Sequence, residues 1–147
     1  MEEEIRGAAF TIAAPFLRRV EGVRMVPYCC EAGRLTNGCG HVLLPGDPAG
    51  AVTMGQVEAW LWQDMSRAAD EIDVPGLSAN EAAALLSFVF NVGAGAWKKS
   101  TLRRMLLNGD KRGAADQFRL WCHVGGRRSE GLAKRRANER AIFLGEI

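Results

Sequence analysis

Residues 21–44 read EGVRMVPYCCEAGRLTNGCGHVLL, and the change of pattern inside them decides the fold. Val26-Pro27-Tyr28-Cys29, Gly33-Arg34-Leu35-Thr36 and Cys39-Gly40-His41-Val42-Leu43-Leu44 are short pieces punctuated by Gly33, Gly38 and Gly40. Each is too short for a helix, and the glycines between them supply turns. They predict a small antiparallel sheet, closed by Pro45-Gly46-Asp47-Pro48.

On either side of this stretch the period becomes helical. Upstream, Ala9, Ile12, Ala13, Phe16, Leu17 and Val20 form a stripe over residues 8–20 that stops before Glu21-Gly22, with Pro15 leaving its start and straightness open. Downstream, Thr53 with Gln56 makes a capping box that opens a helix through Trp60, Met65 and Ala69. Ser78 with Glu81 makes a second, heading Ala82 to Val92, where nearly every position is apolar and Gly93 supplies a stop. That helix is expected at the buried centre. Ser100 to Leu107, Asp110 to Cys122 with Gly125-Gly126 after it, and Gly131 to Leu144 complete the set. The expected class is α+β, mostly helical, as one domain over residues 1–147: a sheet-containing lobe at about 20–50 and a helical lobe at about 53–147, completed by the N-terminal helix. No internal repeat or linker divides the chain.

The 147 residues are 48% hydrophobic and 24% charged, with 17 Gly and 5 Pro. A globular chain of this length buries roughly 68–70% of its unfolded surface. Ala8 to Leu17 covers about half of the roughly 20 apolar residues that a spanning helix needs. Glu2, Glu3 and Glu4 precede it where a secretory signal carries lysine or arginine. The expectation is synthesis and release in the cytoplasm, with no membrane anchor. Cys29, Cys30, Cys39 and Cys122 are too few for a disulfide scaffold and are expected to be free thiols. The net charge is only +2, but from Lys98 to Arg140 thirteen Lys and Arg stand against Asp110, Asp116, Glu130 and Glu139, leaving that segment at +9 and the remainder at −7. Such asymmetry points to an anionic partner, whether nucleic acid, membrane surface or acidic wall polymer; solvated helix faces with i, i+4 pairing account for it equally well.

Glu21 lies at the boundary between helix and sheet, where functional side chains collect, although a solvated helix-terminal charge is the plainer account. Cys30 and Thr36 fall on the sheet or its turns, so one small element could turn a thiol and a hydroxyl toward the same cleft as Glu21. Glu31, the other nearby carboxylate, is expected on the opposite face by strand alternation. Cys29, Cys30, Cys39 and His41 are zinc-ligand types, but adjacent cysteines lack the two-to-four residue gap for chelation, so no metal is expected. His41 and His123 have no nucleophile-elbow serine to activate and are expected to be structural. Gly93-Ala94-Gly95 follows a helix rather than a strand, the wrong context for a nucleotide cofactor. Trp97, Phe118 and Trp121 are expected in the core rather than on a base-stacking platform, so nucleic acid is not the expected partner.

The order Glu21-Gly22-x-Arg24, Tyr28, Thr36-x-Gly38-x-Gly40-His41 resembles the N-terminal catalytic segment of phage-type lysozymes, the endolysins. That family's pattern is a glutamate, eight residues, an aspartate or cysteine, five residues and a threonine; Glu21, Cys30 and Thr36 satisfy both gaps, with the cysteine variant. Ser87 to Gly95, Ser100-Thr101-Leu102 and Asn108-Gly109-Asp110 resemble the family's central helix and following turn. Gly125-Gly126, Gly131-Leu132 and Arg135-Arg136-x-x-Glu139 resemble its C-terminal helices.

The resemblance implies a lysozyme-like fold with the sheet beside the active-site cleft. It implies hydrolysis of the β-1,4 bond between N-acetylmuramic acid and N-acetylglucosamine in peptidoglycan, leading to host lysis, with no cofactor. Glu21, in a partly apolar cleft, would protonate the leaving oxygen. Thr36 would orient the attacking water, with Cys30 assisting, at the roughly 6.5–9.5 Å separation typical of inverting enzymes. Gly40 and Val42 are expected to touch the glycan strand. A membrane-arrested subgroup begins with an uncleaved apolar helix that is missing here, which implies a monomer that waits in the host cytoplasm and reaches the periplasmic wall through a holin-type pore. Two rivals stand beside this reading: a lytic transglycosylase using Glu21 alone, and a noncatalytic basic module that binds wall or nucleic acid.

Overall fold

The structure is a computed structural model that describes residues 1–147. Helix α1 (Glu3–Glu21) leads into a three-stranded antiparallel sheet, β1 (Arg24–Cys29), β2 (Leu35–Gly38) and β3 (His41–Val42), in that spatial order. Helices α2 (Met54–Glu71), α3 (Ala79–Val92), α4 (Ala94–Lys99), α5 (Thr101–Leu107) and α6 (Lys111–Gln117) follow. A 3₁₀ turn at Phe118–Leu120, a hairpin of β4 (His123–Val124) and β5 (Arg127–Arg128), and α7 (Glu130–Phe143) complete the chain. This is an α+β, lysozyme-like arrangement, mostly helical with small antiparallel sheets. No helix is long and apolar enough to cross a membrane.

α3 is the buried centre, packed on α1, α2 and α7. Its start is the full capping box: Ser78 Oγ accepts the Glu81 N–H at 3.1 Å and Glu81 Oε1 accepts the Ser78 N–H at 2.8 Å. Its end is Gly93, whose φ of +89° lies where side chains other than hydrogen are strained. Ala82 through Val89 are buried without a break, so all sides of this helix are covered, as a continuous apolar run requires.

Four expectations are corrected. α1 begins at Glu3 rather than residue 8 and continues past Pro15 to Glu21. The ring sits at an exposed position, while Ala13, Ala14, Phe16 and Leu17 around it are buried; burial of roughly 1.5–3 kcal/mol per large side chain offsets the missing hydrogen bond. Thr53 caps α2 in one direction only, accepting the Gln56 N–H at 3.2 Å. The helix expected over Asp110 to Cys122 stops at Gln117, where the 3₁₀ turn drives Phe118 into the core at 5.5 Å from Phe88 and 5.7 Å from Phe143. Gly125 and Gly126, read as a helix stop, are both at positive φ (+55° and +79°) and form the two-residue turn of the β4–β5 hairpin. Trp97 and Phe118 are fully buried, and Trp121 packs against the core while partly exposed.

Candidate active site

Glu21 is the last residue of α1, and Gly22 at φ +70° swings the chain from the helix into the sheet. Strand register then builds the facing wall. Tyr28 pairs with Thr36 and Thr36 with Val42, and directly opposed residues share a face, so Tyr28, Thr36 and Val42 line up on one side. That side borders a cleft of about 670 Å³ lined also by Glu21, Cys30, Gly40, Phe90 of α3 and Arg135 of α7. All five residues singled out from the sequence, Glu21, Cys30, Thr36, Gly40 and Val42, meet in this cleft.

Within this partly apolar cleft Glu21 also faces a guanidinium, which was not expected. Arg135 Nη1 donates to Glu21 Oε1. Arg135 is itself 6% exposed and fixed from behind: Nη2 donates to Ser87 O at 3.1 Å and Ser87 Oγ at 3.3 Å, and Nε donates to Glu139 Oε2 at 3.3 Å. On the other side, the Gly40 backbone closes over the same carboxylate. A Cβ at residue 40 would lie 2.5 Å from Glu21 Oε2 and 2.7 Å from its Cδ, and Gly40 has φ +70°. Gly40→Ala is therefore expected to push Glu21 aside and cut kcat on the order of 100-fold, since misplacement of about 1 Å costs that much. Steady-state kinetics on purified cell wall check this; wild-type kcat would mean that the carboxylate has room.

Cys30 and Thr36 are organised by one residue between them. The Arg34 N–H donates to Cys30 Sγ at 3.4 Å, the Thr36 hydroxyl donates to Arg34 O at 2.8 Å, and the Cys30 N–H donates to the same carbonyl at 2.9 Å. Burial pulls the Cys30 thiol up, but hydrogen bonding led by the Arg34 N–H, together with the nearby Arg34 charge, favours the thiolate and brings it below the ordinary thiol value. Cys39, by contrast, is pushed up to about 12, first by burial and then by the charge of Glu21, and stays a neutral thiol. Tyr28 is raised by burial and by Glu21. All four cysteines are free.

Glu31 also lines the cleft. Strand alternation does not apply to it, because β1 ends at Cys29 and Glu31 lies in the following turn. Cys29, Cys30, Cys39 and His41 do not gather into a cluster of three or more metal-ligating groups. His41 instead braces the sheet: Nδ1 meets Asp64 Oδ2 at 2.7 Å, Nε2 meets Asp47 Oδ2 at 2.8 Å, and the ring stacks on Trp60 at 4.5 Å. The hydrogen bond from His41 lowers Asp47, whereas burial raises Asp64 despite the same ring.

The basic segment is partly neutralised by folding. Lys98 pairs with Glu71, Arg103 with Asp73 and Lys111 with Glu81, all acidic partners from outside the segment. Arg128, Arg135, Arg136 and Arg140 are also paired, which leaves Lys99, Arg104, Arg112, Arg119, Arg127 and Lys134 without a carboxylate. Sequence reasoning missed the link from Arg135 to Glu21 and the carboxylates on His41; the Arg135-Arg136-x-x-Glu139 block was the only signal for the first.

Comparison with known proteins agrees with this fold. The phage lysozyme family model matches residues 18–139. The chain is 40% identical over 137 residues to an endolysin of Acyrthosiphon pisum secondary endosymbiont phage 1, covering 86% of this chain and 91% of that one. It is 37% identical over 152 residues to a SAR-endolysin of Bacteriophage PS119, covering 95% and 89%. The endolysin from Escherichia coli O157:H7 phage FAHEc1 superposes with a TM-score of 0.78 at 26% identity, covering 99% of this chain and 94% of that one.

Proposed function

Because this chain belongs to the phage lysozyme family, whose members cleave peptidoglycan to lyse the bacterial cell wall, we propose that it hydrolyses the β-1,4 bond between N-acetylmuramic acid and N-acetylglucosamine. The observation that carries the proposal is the convergence of Glu21, Cys30 and Thr36, from the end of α1 and from the sheet, on one cleft.

Glu21 donates a proton to the glycosidic oxygen, and its departure leaves an oxocarbenium-like sugar and a carboxylate. Arg135, already bonded to Glu21 Oε1, stabilises that carboxylate as it forms and keeps it aimed. Thr36 spends its own proton on Arg34 O, so its lone pairs remain to accept a hydrogen bond from the attacking water and turn the water's free pair toward the anomeric carbon; as that C–O bond forms the water gives up a proton to solvent, and Glu21 is reprotonated from solvent before the next turnover. Cys30 acts by position, completing the turn that sets Thr36. Cys30→Ser is therefore expected to retain measurable activity, because a serine oxygen can still accept the Arg34 N–H. A pH profile of kcat checks this, and a rise through the thiol range that disappears in the variant would make the thiolate a base instead. Gly40 backs the acid, and Val42 borders the strand's path. We take the protein to act on the glycan strands of the periplasmic wall as a monomer, reaching them through a holin-type pore.

The deciding experiment is the mass of the soluble fragments released from purified peptidoglycan. Reducing muramic ends carrying one added water support hydrolysis. Anhydro-muramic ends, lighter by that water, would replace this mechanism with transglycosylation by Glu21.

A further inference from the structure

We infer that Arg34 and Lys134 are specificity-determining residues that bind a carboxylate carried by the glycan strand. The inference rests on the proposed cleavage of such strands at this cleft.

The cleft continues past β3 into a second hollow of about 350 Å³, and Arg34 lines both. Its main chain is immobilised by Cys30 and Thr36, which fixes where the side chain begins, while no carboxylate in the protein pairs with its guanidinium. Lys134 enters the cleft from α7, next to Arg135, and is likewise exposed and unpaired.

Most of the other charges of the groove are paired. Glu21 is bonded by Arg135, Asp64 by His41 and Arg67, and Glu71 by Lys98. The Arg19 guanidinium lies over the Phe16 ring, 5.4 Å from its centroid. Glu31 is the one lining carboxylate without a partner, against Arg34, Lys134 and Arg19, so the uncompensated charge of the groove is positive. The sugar rings of a glycan strand offer no charge to meet it. Its carboxylates are of two kinds: those of the peptide stems, and the lactyl group of muramic acid where the stem has been removed.

The test compares wild type with Arg34→Gln, Lys134→Gln and Arg34→Lys on three substrates: peptide-bearing strands, strands stripped of peptide and so bearing free lactyl carboxylates, and stripped strands whose lactyl groups have been amidated. Partly exposed charge-assisted contacts predict that each Gln variant raises KM about threefold to tenfold on one carboxylate-bearing substrate relative to the amidated one, with kcat nearly the same. Arg34→Lys is expected to restore part of the discrimination. A larger effect on peptide-bearing strands identifies the stem carboxylates, and one on stripped strands identifies the lactyl group. Equal effects on all three substrates, or none, overturn the inference while leaving the cleavage reading intact. Failure of the wild type to cleave any of them removes both.

Discussion

Glu21→Gln is expected to eliminate wall lysis, with kcat lower by at least the 10²–10⁴-fold that general acid catalysis typically contributes. The amide has the shape of the carboxyl group and can still accept a hydrogen bond from Arg135 Nη1, but it has no proton to give to a leaving sugar oxygen. The loss should therefore appear in kcat, with a smaller fall in melting temperature than for Glu139→Gln, because Arg135 loses one counter-charge but keeps Glu139. Turbidity loss of purified peptidoglycan, read beside thermal melts of the same preparations, measures it. Substantial lysis by a well-folded Gln variant would remove Glu21 from the chemistry and leave the cleft without an acid. Loss as complete in Cys30→Ser would count against a mere positioning role for the thiol.

The second large effect concerns stability. Glu139 is fully buried and serves three partners: it accepts from Arg136 Nη1 at 2.5 Å, from Ser87 Oγ at 2.6 Å and from Arg135 Nε at 3.3 Å. Arg136 is 1% exposed, donates to Trp121 O at 2.9 Å and to Asn91 Oδ1, and lies over the Phe88 ring. Burial lowers the Arg136 guanidinium from its ordinary value, and Glu139 opposes that. Glu139→Gln leaves a buried guanidinium with no charge to answer it, at a cost of about 3–5 kcal/mol. At roughly 2–4 °C per kcal/mol for a chain near this size, the melting temperature should fall on the order of 10 °C.

Arg136→Met in the Glu139→Gln background should recover part of that loss, because removing the second charge ends the uncompensated burial. A melting temperature within a degree or two of wild type for Glu139→Gln would show that neighbouring carbonyls already satisfy the guanidiniums. The same network stands behind Arg135, so the variant should also lose activity below its melting transition as the guanidinium that orients Glu21 is loosened.

Those two predictions mark the boundary between what is local in the chain and what is not. The capping box at Ser78 and Glu81, the stop at Gly93 and the glycine-punctuated strands are interactions between residues a few positions apart, so sequence spacing alone specifies them. The candidate set is legible in part: Glu21, Cys30, Thr36, Gly40 and Val42 fall within one short stretch whose spacing resembles the family's, but spacing alone did not bring them together, and it is the helix end, strand register and turn geometry of the fold that put them on one cleft. Apart from the start of α1 and the one-directional cap of α2, a short element was the cause where the sequence misled. α4 and the β4–β5 hairpin carry too few residues for a full apolar period, and the 3₁₀ turn at Phe118–Leu120 forms because Phe118 has a place to fill between Phe88 and Phe143.

What only tertiary structure decided is electrostatic. Arg135 meets a carboxylate 114 positions away, His41 meets Asp64 and Asp47 at 23 and 6 positions, and the basic segment finds many of its counter-charges on the acidic half of the chain. Linear order gives each charge its sign but not its neighbour. Coulomb interactions act through space and are set by burial and distance, which exist only once α1, α3 and α7 have packed together.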